Sequence, residues 1–230
     1  MKKKRILVIE PHSDDSAIAA GGYLEHCKNN HELFFVLVAA SSVQLRHKFV
    51  SKEERINEYE RYVDSLNGKL LRPQSQNKVI KLPTDMDSKL DQVSKADLVN
   101  AIEESIFEAK PDEILVMGPS FHHDHTIVYE SVKAATRPTF SYSASSILIM
   151  ENPTYIHSWD TNFTPNTYFV MTEDILQSKL DRFKEYFPSQ MRTSGNYLSL
   201  EGITRWAKYR GIEARSNYAE AFHTIYRKIN

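Results

Sequence analysis

The sequence is short of the residues that several function classes require. It has one cysteine, Cys27, in 230 residues, which excludes an intramolecular disulfide and any cysteine-cluster metal site. The seven glycines and nine prolines exclude collagen-like and low-complexity classes. The adjacent pair Gly21-Gly22 fits neither a dinucleotide fingerprint nor a P-loop. Neither sign of charge is in excess, with 29 Lys plus Arg against 30 Asp plus Glu, so no global basic field is available to grip nucleic acid or an anionic membrane. No apolar run approaches the roughly 18 residues of a membrane span. The basic start Met1 to Arg5 is followed only by Ile6 to Ile9 before Glu10 and Pro11, too short for a signal-peptide core. The expectation is a soluble, cytoplasmic protein.

What is present is an alternation of strands and helices. Arg5 to Glu10 (RILVIE) and Glu32 to Ala40 (ELFFVLVAA) are apolar runs of the kind buried on both faces of a parallel sheet. Helical patterns cover about Ser16 to Asn30, Ser51 to Leu66 (stopped by Asn67-Gly68) and Lys95 to Ala109 (stopped by Pro111). Short strands are expected at Lys69 to Leu71 and Glu113 to Met117, with a polar loop at Pro73 to Lys78. Beyond Arg137 the pattern loosens. Phe140 to Ser146 and Asn152 to Pro165 read as irregular, with a strand at Ile147 to Met150 between them. Helical periodicity returns at Glu173 to Phe187 and Leu200 to Arg210, and His223 to Ile229 is a final strand candidate. Repeated βα units imply right-handed crossovers. The expected fold is a single-domain (1–230) Rossmann-like α/β protein, a three-layer αβα sandwich with a mostly parallel sheet.

Two polar clusters stand after expected strands, His12-Ser13-Asp14-Asp15 and His122-His123-Asp124-His125. Ligands in such folds bind outside the carboxyl ends of the strands. Histidine and aspartate are ligands of zinc, whose catalytic sites use three protein ligands and keep a position for water. His12 and Asp15 can point at one ion and His125 can supply the third ligand. Asp14 is then a free carboxylate beside the bound water, placed as general base. His122 faces the substrate, to stabilise an oxyanion or protonate the leaving group. Asp124 hydrogen-bonds a histidine and sets its tautomer. The competing readings are plain: Ser13, Asp14 or Asp15 as helix caps, and the second cluster as a solvated turn. A receiver-type domain binding magnesium through carboxylates also opens with acidic residues after a strand. It is about half this length and has no need of four residues rich in histidine. His26, His31, His47, His157 and His223 are read as structural.

These motifs resemble the PIG-L/LmbE-like family of zinc-dependent deacetylases of N-acetylated amino sugars and their conjugates. The family's (P/A)HPDDE reads PHSDDS at Pro11 to Ser16, and Gly21-Gly22 follows at its spacing. A family R-x-x-E…LG helix matches Arg55, Glu58 and Leu66, and the family's HPDH reads HHDH at His122 to His125. Ser189-Gln190 and Tyr218 to Phe222 (YAEAF) resemble later segments, so the likeness runs from about Lys4 to Phe222. It implies His12, Asp15 and His125 as zinc ligands, Asp14 as base and His122 as the electrostatic or acid histidine supported by Asp124. It also implies Arg55 as a residue that holds the sugar. Ser13 and His123 replace prolines, Ser16 replaces a glutamate, and Phe121 stands where many relatives carry a polar residue. No proposed ligand is lost. The implied partner is a small N-acetylated sugar or sugar conjugate, and a homo-oligomer is compatible with the sequence. Zinc is the expected cofactor, with other divalent transition metals open. Tyr142, Tyr155, Trp159 and Phe163 are expected at the pocket rim, where aromatic faces stack on sugar rings. Two alternatives stay open: an amidohydrolase acting on a non-sugar conjugate, and a sugar-binding protein that has lost catalysis.

Overall fold

The alternating apolar residues of the first strand settle the layering. In β1 (Arg5–Glu10), Ile6 and Val8 enter one hydrophobic core, whereas Leu7 and Ile9 enter a second core on the opposite face. A strand buried on both sides belongs at the centre of a parallel sheet covered by helices, and that is its place in this computed structural model, which describes residues 3–45, 48–138, 143–153 and 163–229.

The strands β1, β2 (Glu32–Leu37), β3 (Val43–Gln44), β4 (Phe49–Val50), β5 (Lys69–Leu70), β6 (Glu113–Met117), β7 (Ser146–Met150), β8 (Thr167–Met171) and β9 (Tyr218–Arg227) form two sheets. The main sheet has seven strands in the order β5-β2-β1-β6-β7-β9-β8, and β3 pairs with β4 in a two-stranded ribbon. All pairings from β5 to β7 are parallel, and β9 runs antiparallel to both β7 and β8. The mostly parallel α/β sandwich is therefore as expected.

Helices α1 (Asp15–Ala19), α2 (Gly21–Cys27), α3 (Lys52–Ser65), α6 (Glu173–Tyr186) and α7 (Leu200–Glu213) cover the Ile6/Val8 face. The opposite face is covered by α4 (Lys95–Ala109) and α5 (His123–Ala135). Local chemistry sets their ends. The side chains of Ser51, Ser94, Thr172 and Ser199 each accept a backbone N–H three residues on, as N-caps do. Lys110 takes a left-handed conformation (φ 46°) that ends α4, and Pro111 follows. Gly68 packs so tightly on Phe35 that a Cβ there would lie 2.5 Å from the ring.

Four expectations need correction. The single helix from Ser16 to Asn30 is two, because the chain turns at Ala20 (φ −138°, ψ 15°) to bring Gly22 against Glu220. The second strand ends at Leu37 rather than Ala40; the next residues leave it, and Ala39 forms an isolated bridge with Thr84. β8 was not anticipated. The last strand begins at Tyr218, five residues before His223, because the small residues Ala219 and Ala221 let it run buried between β7 and β8.

Candidate metal centre

From β1 the chain steps outward through β2 to β5, then returns to place β6 on the other side of β1. The strand order reverses between β1 and β6, and a crevice opens there at their carboxyl ends. Glu10 ends β1 immediately before Pro11 to Asp15. Met117 ends β6 five residues before His122. The topology therefore brings together two clusters about 110 positions apart in sequence.

Three imidazoles converge. The ring centroids of His12 and His122 are 4.5 Å apart, those of His12 and His125 5.3 Å, and those of His122 and His125 5.2 Å. One nitrogen from each lies within 4.8 Å of the others. Asp15, the first residue of α1, sits between two of them. Its Oδ2 accepts the His12 backbone N–H at 2.9 Å and is 3.7 Å from His12 Nδ1, and its Oδ1 is 3.4 Å from His125 Nε2. Ligand atoms around a tetrahedral zinc with bonds of 2.0–2.1 Å lie roughly 3.3–3.4 Å apart; the 3.4 Å from Asp15 Oδ1 to His125 Nε2 matches that spacing, and the 3.7 Å from Oδ2 to His12 Nδ1 is slightly wider. The groups whose ligand atoms all lie within 4.8 Å of one another are His12, His122 and His125, and His12, Asp87, His122 and Asp124.

Asp124 has no exposed surface. Its Oδ2 faces His12 Nε2 at 2.9 Å and accepts the Ser88 N–H at 2.6 Å, while Oδ1 accepts the Leu90 N–H at 3.1 Å. It joins the histidine cluster to the segment between β5 and α4. That segment carries Asp87, which sequence reasoning missed. Asp87 Oδ1 is 3.4 Å from His12 Nε2, and Oδ2 accepts a hydrogen bond from Arg55 Nη1. No spacing pattern marks Asp87, since its position depends on a loop. Asn152 was also missed; its Nδ2 donates to Asp15 Oδ1 at 3.3 Å.

Asp14 is the N-cap residue of α1, yet its side chain makes no capping hydrogen bond; it lines the cleft with Arg55 and His122. Arg55 is buried and also donates to the Ser41 carbonyl at 2.8 Å. Glu58, one turn along α3, accepts the Ser189 N–H at 2.9 Å and the Ser189 hydroxyl, which seats Gln190 in the cleft wall. Glu220 of the YAEAF segment works elsewhere. It accepts the N–H groups of Gly22 and Tyr23 at 2.8 Å each and the Lys179 ammonium at 2.7 Å, fixing α2 against β9. His123 is exposed, as is Phe121.

The electrostatics suit a cation. Burial works against a charged His12, but the hydrogen bond to Asp124 and the carboxylates of Asp15 and Asp87 outweigh it and raise its pKa to about 9. Burial opposes ionisation of Asp15 as well, yet His125 and His12 hold it down at about 2. Asp14 is pushed up by burial and by the neighbouring Asp15 charge, against the pull of Arg55 and His12. His122 falls to about 4, through burial and the positive charges of His12 and His125.

The cleft holds about 200 Å³. Its apolar lining comes from Ile18 of α1, Val43 of β3 and the following Leu45, and Tyr197 and Leu198 on the approach to α7. The expected aromatic rim is not what lines it among the described residues. Phe163 is half-buried and is not among the lining side chains, while Tyr142, Tyr155 and Trp159 lie outside the described residues. His47 and His157 also lie outside them.

The family model described as PIG-L, GlcNAc-PI de-N-acetylase, matches residues 7–136, more than half of the chain and inclusive of both clusters and Arg55. No curated protein matches the sequence. Among solved structures, an N,N′-diacetylchitobiose deacetylase from Pyrococcus horikoshii is similar with a TM-score of 0.70 and 19% identity, covering 97% of this chain and 84% of that one. The deacetylase of the antimicrobial A40926 pseudoaglycone gives 0.70 and 18%, with 100% of both chains covered. A 4-carboxy-2-hydroxymuconate hydratase from Pseudomonas putida KT2440 gives 0.68 and 17%, covering 99% and 98%. At these identities the likeness is one of fold.

Proposed function

Because the chain belongs to the PIG-L family of GlcNAc-PI de-N-acetylases, we propose that it is a metal-dependent hydrolase that removes the N-acetyl group from an amino sugar or its conjugate. The observation that carries this reading is the convergence of His12, His122 and His125 with Asp15 set between His12 and His125, at the floor of a cleft that Asp14 lines without making a capping hydrogen bond. His12, Asp15 and His125 would hold the ion. Zinc suits this imidazole and carboxylate set, as do some other divalent transition metals. The ion, when bound, supplies Lewis acidity for an amide carbonyl and lowers the pKa of water.

The residues of the chain do the rest. Asp14 accepts the proton of the attacking water, since its carboxylate is neither a cap nor one of the proposed ligands. His122, at the N-terminus of α5, hydrogen-bonds the carbonyl oxygen as negative charge develops. The departing amine takes its proton from Asp14, which holds the proton received from the water; His122, with its pKa lowered to about 4, is neutral and serves as a hydrogen-bond donor. Asp124 fixes the orientation of the His12 ring through Nε2. Arg55 and Asp87, paired across the cleft, offer a donor and an acceptor to sugar hydroxyls. The two deacetylase neighbours support amide chemistry on acetylated sugars or their conjugates. The hydratase neighbour shows that the scaffold also serves other substrates, so the acyl group has to be tested directly.

The experiment is metal content by mass spectrometry on protein purified without added metal, wild type beside Asp15→Ala, together with acetate release from N-acetylglucosamine, N,N′-diacetylchitobiose and a non-sugar N-acetyl amine. About one transition metal per chain, lost in the variant, with acetate released from the sugars, is the expected result. No metal in wild type after zinc addition and dialysis refutes the hydrolase reading, and acetate from the non-sugar amine alone refutes the sugar.

A further inference from the structure

Glu151 follows the last residue of β7 and is almost wholly buried, yet it is far from neutral surroundings. Its Oε2 accepts Trp206 Nε1–H at 3.0 Å and Arg210 Nε–H at 2.8 Å, and its Oε1 accepts a further bond from Arg210 Nη2. The Arg210 guanidinium is itself fixed. It lies 5.1 Å from the Trp206 ring centre and 5.0 Å from that of Tyr209, and it also bonds to Glu213. A two-point arginine–carboxylate pair with a third donor is one of the most sharply oriented contacts that side chains make. All three donors come from α7, which is anchored in the core through Ile203 and Ala207.

The next residue is Asn152. Successive Cα atoms are about 3.8 Å apart, so the clamp on Glu151 sets where the Asn152 backbone begins. Its carboxamide reaches Asp15 Oδ1 at 3.3 Å, while Asp15 Oδ2 is held by the His12 N–H at 2.9 Å. The two hydrogen bonds orient both oxygens of the carboxylate that stands between His12 and His125.

We propose that Glu151, clamped by Trp206 and Arg210, is a positioning residue for the metal centre: it seats Asn152 on Asp15 and thereby couples metal affinity to the docking of α7. This rests on the reading above that Asp15 is a ligand. Partners that orient a metal ligand typically change affinity by about 10–100-fold when removed.

The test is a double-mutant cycle on the full chain with Trp206→Phe, which keeps an aromatic ring but removes the pyrrole portion with its Nε1–H donor, and Asn152→Ala. Zinc affinity is measured by competition with a chromophoric chelator, and the melting temperature of the metal-free protein is measured in parallel. Each single variant is expected to weaken zinc about tenfold or more. The double variant should bind zinc no more weakly than Asn152→Ala alone, because Trp206 acts through Asn152. The melting temperature of the metal-free protein serves as the control for stability, and the cycle is read in zinc affinity. Arg210→Lys serves in place of Trp206→Phe if the latter does not fold. Unchanged affinity with a lowered melting temperature makes the clamp merely structural and overturns the inference, as do affinity losses that simply add. Failure of wild type itself to bind zinc would remove the metal reading and this inference with it.

Discussion

Asp124 is the residue whose removal the structure prices most clearly. It is fully buried and accepts two backbone N–H groups, from Ser88 and Leu90, as well as facing His12 Nε2. Asp124→Ala leaves those two amides without an acceptor. A buried unsatisfied donor costs about 1–3 kcal/mol; that applies to the amide of the buried Leu90, whereas Ser88 is exposed and water can satisfy its N–H. At about 2–4 °C per kcal/mol for a chain of this length, a loss of about 2 kcal/mol lowers the melting midpoint by roughly 4–8 °C. Asp124→Asn keeps the volume and one acceptor oxygen, and should cost about half as much. The pH dependence has a definite sign. Burial opposes ionisation, but the bonds from His12, Leu90 and Ser88 hold the folded carboxyl below its ordinary value. Its stabilisation is therefore complete above the unfolded pKa of about 3.9 and is lost as pH falls through the lower folded value. The assay is thermal unfolding of metal-free wild type, Asp124→Ala and Asp124→Asn, followed by circular dichroism from pH 7 to pH 3. A midpoint shift below about 2 °C at pH 7, or a wild-type advantage that does not shrink below about pH 4, would refute the reasoning.

Asp14→Asn should retain the metal found in wild type and lower turnover by about 10²–10⁴-fold, the usual weight of a general base; near-normal kcat would remove Asp14 from that role. His122→Ala should likewise keep the metal and lose about 10²–10³-fold in kcat, whereas an emptied site would move His122 into the ligand set. Cys27 is 1% exposed and its thiol is pushed up to about 12, chiefly by burial, with Glu113 contributing. At pH 8 the thiolate fraction falls by roughly three orders of magnitude relative to a free cysteine, so labelling by a disulfide reagent should follow unfolding; rapid stoichiometric labelling of the folded protein would contradict the burial.

Elements with a strong local signal lie where the sequence places them, and elements held by distant neighbours do not. β1, α4 and β6 lie at the expected boundaries because each carries its own signal: a doubly buried apolar run, a serine cap, a proline stop. The outlying parts did not. β3 and β4 are two residues long, too short for any period to register. The start of β9 contains two alanines and a buried glutamate, residues that carry little strand signal of their own and are placed there by neighbours on both sides.

The site divides in the same way. Its histidines and aspartates in two short clusters were legible from residue chemistry and from their places after strands, because a parallel sheet presents all such loops at one end. Asp87, Asn152 and the Glu151 clamp were not. Each meets the cluster through a contact spanning dozens to more than a hundred positions, 137 in the case of Asn152 and Asp15, and nothing in the local sequence encodes such a distance. Residue chemistry and the places after strands are enough to say which groups are available and at which end of the sheet they gather. Which carboxylate faces which imidazole depends on loops and on a distant helix packing into place.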